Sequence, residues 1–429
     1  MNRPAANPKP QREENVGRAS LYAYYAGFSP SFALGTLRAL SIRGAATVLD
    51  PWNGSGTTSQ VALEEGLSPV GYDINPAMVV IAKARLLESD VKESLRVLGS
   101  HILQRARSHR DGQLTRADAL CGWFSPASAA SLRAIESAIC YYLVDASSAC
   151  QAPVDPGRIS ALASFYYVAL FELTRRLLSP YQSSNPTWLR LPGHPSARLR
   201  TGHRTIELLF RNSVRRMAAA IGERRSENAT PSGRAILAVA DSRCLPLGDR
   251  SIDVVLTSPP YCTRLDYAVA TRPELAVMGY DGCSFRRLRE SMLGTAAIST
   301  PVPTRLENWG KTCESFLDKI ETHPSKASST YYLRTHLQYF DGLFTSLKEI
   351  ARVLKPGAPC ILVVQDSHYK DVHNDLPRIA TEMAGSLGMA LRSRSDFPVA
   401  TLLAASQPHT RQYRKKITAV ESVLHLTAA

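Results

Sequence analysis

Short apolar runs that end at an acid or a turn occur near both ends of the chain, with helical stripes between them. Ala45-Ala46-Thr47-Val48-Leu49 is one such run, ending at Asp50, as a strand buried in a parallel sheet would. Thr58 to Glu65 then reads as a helix stopped by Gly66. Pro69-Val70-Gly71-Tyr72 reads as a second strand ending at Asp73, and Pro76 to Leu87 as a second helix. Strand, turn, helix, strand, helix is the parallel α/β unit. Upstream, Ser29-Pro30 suits the start of a helix whose apolar stripe is Phe32, Leu34, Leu37 and Leu40.

The alternation then pauses. Amphipathic stripes predict helices near 91–107, 125–144, 158–178 and 204–222, with hardly an apolar strand among them. The alternation resumes at Ala235–Ala240, ending at Asp241, and at Ile252–Thr257, which runs into Ser258-Pro259-Pro260-Tyr261. Residues 262–328 read as polar loop. A long helix is expected from Tyr331 to Leu354, a strand over Cys360–Val364, and a helix from Pro377 to Gly388. Extended stretches at 398–404 and 417–427 suggest a terminal hairpin closing the sheet. The expected organisation is a flexible tail over 1–18, an α/β domain from 19–90 and 231–429, and a helical insertion over 91–230.

Composition narrows the class only a little. The 429 residues are 44 % hydrophobic and 21 % charged, which is ordinary for a globular chain. No stretch approaches the ~20 apolar residues of a membrane span, and the N-terminus lacks the apolar segment of a secretory signal. A cytoplasmic setting follows as the expectation. The eight cysteines show no CxxC pair, so no metal site is expected and the thiols should be reduced. Lys and Arg number 51 against 37 Asp and Glu, a net charge of +14 that makes a polyanionic partner plausible.

Candidate chemistry begins at Asp50-Pro51-Trp52-Asn53-Gly54-Ser55-Gly56-Thr57-Thr58, between a strand and a helix. Neither a dinucleotide nor a P-loop fingerprint is present. A nucleoside with an amino-acid-like end fits better. Asp50 could accept from an ammonium group, and the Gly54–Gly56 amides could take a carboxylate. Asp73, at the end of the second strand, could accept from both ribose hydroxyls, and Asp241 could receive an adenine amino group. The second segment, Thr257-Ser258-Pro259-Pro260-Tyr261, is stiffened by consecutive prolines. It offers carbonyl acceptors, a hydroxyl and a flat aromatic face, suited to a planar ligand bearing an exocyclic NH₂.

Together these segments resemble the S-adenosylmethionine-dependent amino-methyltransferases of nucleic acids. Gly71–Pro76, Asp241–Pro246, Ala351–Gly357 and the aromatic stretch Tyr24–Pro30 also match, so the resemblance covers roughly 20–90 and 233–428. The Ser-Pro-Pro-Tyr form is similar to that of the cytosine-N4 branch. One departure is Trp52-Asn53, where Phe and a small residue are more usual.

The resemblance implies a Rossmann-like methyltransferase fold, a mostly parallel seven-stranded sheet with a terminal hairpin and a large helical insertion. It implies catalysis by Ser258, Pro259, Pro260 and Tyr261. Cofactor contacts would come from Asp50, Trp52, Gly54, Ser55, Gly56, Thr57, Asp73, Asn75, Asp241, Ser242, Phe28 and Ser29. The substrate would be double-stranded DNA, in restriction-modification or phage defence, with restriction or defence proteins as partners. By position the insertion is the candidate target-recognition region. Phosphate or base contacts are expected from Arg264, Tyr267, Arg411, Arg414 and Lys415, and from basic clusters at 105–116, 198–225 and 411–416. Asp266 and Asp366 are further candidates, whereas Cys262 reads as a buried structural thiol. The alternatives are the same chemistry on adenine N6 or RNA, and an inactive DNA-binding subunit of a defence complex.

Overall fold

The computed structural model describes residues 7–9, 16–23, 27–42, 44, 46–109, 118–144, 152–183, 188–222, 234–262, 266–298, 300–399 and 419–429. Helix α1 (Pro30–Ala39) precedes β1 (Thr47–Asp50), α2 (Thr57–Glu64), β2 (Ser68–Asp73) and α3 (Pro76–Arg85). The insertion supplies α4 (Ser94–Ser108), α5 (Pro126–Leu143), α6 (Ala161–Leu177) and α7 (His203–Ala220). After β3 (Ile236–Val239) and β4 (Val254–Thr257) come α8 (Tyr267–Ala270), α9 (Arg272–Val277), α10 (Gly282–Ser291), α11 (Lys311–Glu321) and α12 (Leu333–Val353). The chain continues through β5 (Pro359–Gln365), the small hairpin β6 (Ser367–Tyr369) and β7 (Val372–Asn374), and α13 (Leu376–Ser386) to β8 (Ala390–Val399) and β9 (Ala419–Thr427).

Local chemistry explains the helix starts. Ser29 caps α1, its Oγ accepting from the Phe32 N–H at 3.1 Å, and Pro30 occupies the first turn. Asn75 caps α3 in the same way, accepting from Ala77 N at 3.1 Å. The strands β1 and β4 are short and apolar because both faces are covered.

The sheet order is β3-β2-β1-β4-β5-β9-β8, with β1 to β5 parallel and β9 antiparallel to both its neighbours. This is the Rossmann-like sheet with a terminal antiparallel pair. The chain leaves β1 toward β2 on one side and β4 toward β5 on the other. That reversal opens a crevice at the carboxyl ends of β1 and β4, where open α/β sheets bind ligands. Asp50 ends one strand and Thr257 the other.

All four expected insertion helices are present within a few residues. Phe165, Tyr166, Val168, Leu170, Phe171 and Leu173 of α6 are fully buried, so that run builds core. Helix α3 is buried on nearly every face, and one apolar cluster runs from it through α4–α7 to Leu275–Met278. The insertion therefore shares its core with the α/β domain.

Several expectations need correction. The first strand of the hairpin lies at Ala390–Val399, ahead of 398–404. It is a largely exposed edge strand carrying Arg392, Arg394 and Asp396, so its charges hide it from an apolar search. Among the described residues, 262–328 hold four α-helices, one of which, α10, buries no residue completely and packs on the core only through the half-buried Phe285 and Leu288. In the stretch read as a flexible tail, Pro8 is buried and its carbonyl accepts from Ser29 N at 2.8 Å. Cys140 is disulfide-bonded, against the expectation of reduced thiols, while Cys121, Cys244, Cys262, Cys283, Cys313 and Cys360 are free.

Candidate active site

A cleft lies over the crevice between β1 and β4. The turn after β1 lines it with Asp50, Pro51, Trp52, Asn53, Gly54, Ser55, Thr57 and Thr58. The end of β2 adds Asp73, Ile74 and Asn75, and the end of β3 adds Asp241 and Ser242. Ser258, Pro259, Pro260 and Tyr261 come from beyond β4, Phe28 from before α1, and Tyr267 from α8. The cleft thus gathers every catalytic candidate and all the cofactor candidates except Gly56 and Ser29. Met78, Ala270, Thr271, Met292 and Leu293 also line it, supplying apolar walls that no motif announced.

The acids are held in place before any ligand arrives. Asp50 is 3 % exposed and accepts from the Thr257 hydroxyl at 2.5 Å and from Trp52 N at 3.2 Å. Asp73 accepts from Gly54 N at 2.9 Å and Asn75 N at 2.8 Å. Burial pushes both carboxyls up to about 6, and the charge of Asp50 adds to the rise at Asp73. Two desolvated acids in one cleft favour a cationic ligand, which would restore their ionised forms. The Trp52 indole N–H, buried and without a hydrogen-bond partner among the described residues, is a donor left for a ligand.

Some expected roles change. The Gly54 amide goes to Asp73, and the Gly56 amide donates to Asn53 O at 2.8 Å, so neither is available for a ligand carboxylate. Gly56 is instead needed for packing: its φ is +86°, and a Cβ there would lie 2.8 Å from Ala82 Cβ. Asn75 donates to Thr271 Oγ1 at 2.7 Å, so its amide ties β2 to the segment after Tyr267. Asp241 is paired with Arg243 at 2.6 Å, and Ser242 with Ser346 at 2.9 Å. Ser29 serves α1 as its cap and stands outside the cleft.

The Ser-Pro-Pro-Tyr segment is stapled at Ser258, Pro260 and Tyr261. Ser258 Oγ donates to Val363 O at 2.8 Å, which leaves its lone pairs as acceptors. The Tyr339 hydroxyl donates to Pro260 O at 2.8 Å, and Tyr261 N donates to the Tyr267 hydroxyl at 3.2 Å. Tyr267, expected at the nucleic acid, lines the same cleft as Tyr261 and braces it. The Tyr261 hydroxyl donates to Glu421 Oε1 at 2.8 Å, and Lys9 Nζ lies 2.9 Å from the same oxygen. Burial and the Glu421 charge raise the Tyr261 phenol well above its ordinary range.

Other candidates fall elsewhere. Burial pushes the Cys262 thiol up to about 12, which favours the neutral thiol over the nucleophilic thiolate. Asp266 caps α8 and pairs with Arg289 at 2.6 Å. Asp366 accepts from Val420 N at 2.7 Å and meets His373 at 2.9 Å. Arg264, Arg411, Arg414 and Lys415 lie outside the described residues. Within the basic clusters, Arg107 pairs with Glu207 and Arg216 with Glu172, each at 2.7 Å. Among the described residues, no group of acidic, His or Cys side chains could hold a metal, and no helix is long and apolar enough to cross a membrane.

Sequence reasoning missed Lys9 and Glu421. The signal for Glu421 was available: it is the one acid in the β9 sequence AVESVLHLT, whose Val420, Val423, Leu424 and Leu426 are apolar.

The fold and cleft define a Rossmann-like α/β protein with a ligand site at the switch point of its sheet. No family model matches the chain. It is 28 % identical over 148 residues to the Type II methyltransferase M.AvaI of Anabaena variabilis, covering 32 % of this chain and 30 % of that one. Over 163 residues it is 28 % identical to M.BsoBI of Geobacillus stearothermophilus, covering 33 % and 32 %. These matches span about a third of those relatives. A longer match, to the Type II methyltransferase M.MvaI of Kocuria varians, is 25 % identical over 365 residues and covers 78 % of this chain and 73 % of that one. An S-adenosylmethionine-dependent methyltransferase structure from Methanosarcina mazei covers 91 % of this chain and 96 % of its own, at 10 % identity. Its TM-score of 0.31 is too low to bear on function.

Proposed function

We propose that this protein is an S-adenosylmethionine-dependent DNA methyltransferase that acts on the N4 amino group of cytosine. The observation that carries the reading is the meeting of two segments in one cleft: the Asp50–Thr57 turn and the Ser258–Tyr261 motif. The similar Type II methyltransferases support the coarser reading, a DNA methyltransferase; cytosine N4 as the target atom and a role in restriction-modification are part of the proposal.

The buried acids, the unpartnered Trp52 N–H and the apolar walls suit a nucleoside carrying positive charge. Asp50 and Asp73 would hold the cofactor's polar groups, and Phe28, Trp52 and Met78 its apolar surfaces. When bound, the cofactor supplies an electrophilic methyl group on a sulfonium. The target base must leave the duplex to reach Tyr261, on whose ring it stacks. Ser258 Oγ, its own proton given to Val363 O, accepts from the base amino group, and the Pro259 carbonyl is the second acceptor. Two acceptors so placed favour a pyramidal nitrogen whose lone pair faces the cleft. Orientation then supplies most of the acceleration. The proton becomes acidic once the nitrogen is alkylated, so no strong base is required.

The net charge of +14 suits a duplex partner, and the insertion is the proposed target-recognition region. Mass spectrometry of nucleosides from DNA treated with protein and cofactor should show N4-methylcytosine. N6-methyladenine, methylated RNA alone, or no product would overturn the reading. Replacing Ser258 and Tyr261 together with Ala should abolish the product.

A further inference from the structure

We infer that Lys9 and Glu421 are positioning residues for the catalytic tyrosine, acting as a clamp on its hydroxyl; the inference rests on the function proposed above. Three groups from distant parts of the chain form a closed triangle. Tyr261 Oη lies 2.8 Å from Glu421 Oε1, Lys9 Nζ lies 2.9 Å from that oxygen, and Lys9 Nζ lies 3.4 Å from Tyr261 Oη. The Lys9 ammonium is also 5.5 Å from the centre of the Tyr261 ring.

The ring of a tyrosine turns about a broad torsional minimum unless something holds its far end. Here that end is fixed to β9, a strand paired on both sides, by β5 and by β8. A base stacking on the ring meets a plane already set.

The two charges need each other. Glu421 is 2 % exposed at its side chain, and its Oε2 has no hydrogen-bond partner among the described residues. A carboxylate so buried is costly without a cation, and Lys9 is the cation it meets. The lysine is delivered by a backbone tie, Pro8 O accepting from Ser29 N at 2.8 Å at the cap of α1. The clamp therefore links the Phe28 wall of the cofactor site to the ring that takes the base.

The test uses the whole 429-residue chain and the variants Tyr261→Phe, Lys9→Met and Lys9→Arg. If the clamp acts through the hydroxyl, Tyr261→Phe and Lys9→Met each lower kcat roughly tenfold, the size of one charge-assisted hydrogen bond. Cofactor Kd stays unchanged, and Lys9→Arg restores most of the rate. The double variant Tyr261→Phe/Lys9→Met is then no slower than the worse single one. Multiplying losses, or a faster Lys9→Met enzyme, would overturn the clamp; the latter would mean that the segment obstructs the base.

Melting temperatures of the same double-mutant cycle give a second readout that needs no substrate. Non-additive losses support the clamp, and additive ones refute it. Should the wild-type chain methylate no DNA, the proposed function fails while the melting cycle still decides the clamp.

Discussion

Thr257 donates its hydroxyl proton to Asp50 Oδ1 at 2.5 Å across 207 residues of sequence. The bond joins the last residue of β4 to the last residue of β1, so the proposed cofactor turn and the proposed catalytic motif share one anchor. Thr257→Val keeps the shape and removes the donor. A buried carboxylate that loses a hydrogen bond costs about 1–3 kcal/mol. The Asp50 carboxyl should then titrate at higher pH. Cofactor affinity measured against pH should show its midpoint displaced upward from wild type.

Asp50 and Asp73 both titrate near 6, raised by burial above ordinary carboxyls. A raised carboxyl means the folded, ligand-free protein binds protons more tightly than the unfolded chain. These two groups therefore add stability as pH falls toward 6 and below, and withdraw it as pH rises through 6. A cationic cofactor has the opposite preference. Its Kd should weaken roughly tenfold per pH unit below about 6 for each group that must ionise. Thermal unfolding of the ligand-free protein across pH 4 to 7 checks the first sign, and calorimetric titration of the cofactor from pH 5 to 8 the second.

Cys262 follows the proposed catalytic tyrosine, but burial holds its thiol up to about 12. Cys262→Ala should keep methylation rates within a few-fold of wild type. Loss of all product in a folded Cys262→Ala protein would point to covalent attack on the base instead.

Arg175 of α6 reaches across to Glu274, whose side chain is fully buried, with Nη2 to Oε2 at 2.9 Å and Nε to the Tyr22 hydroxyl at 2.9 Å. This pair ties the insertion to the segment beyond the catalytic motif. Arg175→Met would strand the Glu274 charge, at about 3–5 kcal/mol. Thermal unfolding should register a large drop, and Arg175→Met/Glu274→Gln should recover part of it.

Gly56→Ala should cost about 1–3 kcal/mol, because the new methyl meets Ala82 Cβ at 2.8 Å and φ is +86°. Since Gly56 sits in the cofactor turn, cofactor affinity should fall with stability. Ligand-induced thermal shifts on the variant would separate the two losses.

Strands β1, β2, β4 and β5 were legible because buried parallel strands read as bare apolar runs. The insertion helices were legible because their stripes are long. Strand β8 was not, since its alternation is between charges, and neither was α10, which packs without a buried residue. The cleft followed from two local motifs, and the structure brought their residues together. What local reading could not supply was long-range pairing. Lys9 meets Glu421 from the opposite end of the chain, and no spacing encodes that. Nor could it show that the Gly54 and Gly56 amides are consumed internally, since that depends on where Asp73 and Asn53 fall after folding.

Strand β9 sits between β5 and β8 in the sheet but follows both in the chain. During synthesis the sheet must wait with a gap: β5 has its parallel neighbour β4 and β8 has none. Only when residues 419–427 emerge can β9 slot in, join β8 to the rest and bring Glu421 up to Tyr261. The proposed catalytic pocket is therefore among the last parts of the molecule to mature. A chain halted before β9 would hold a cofactor turn, yet have neither a closed sheet nor a tethered tyrosine.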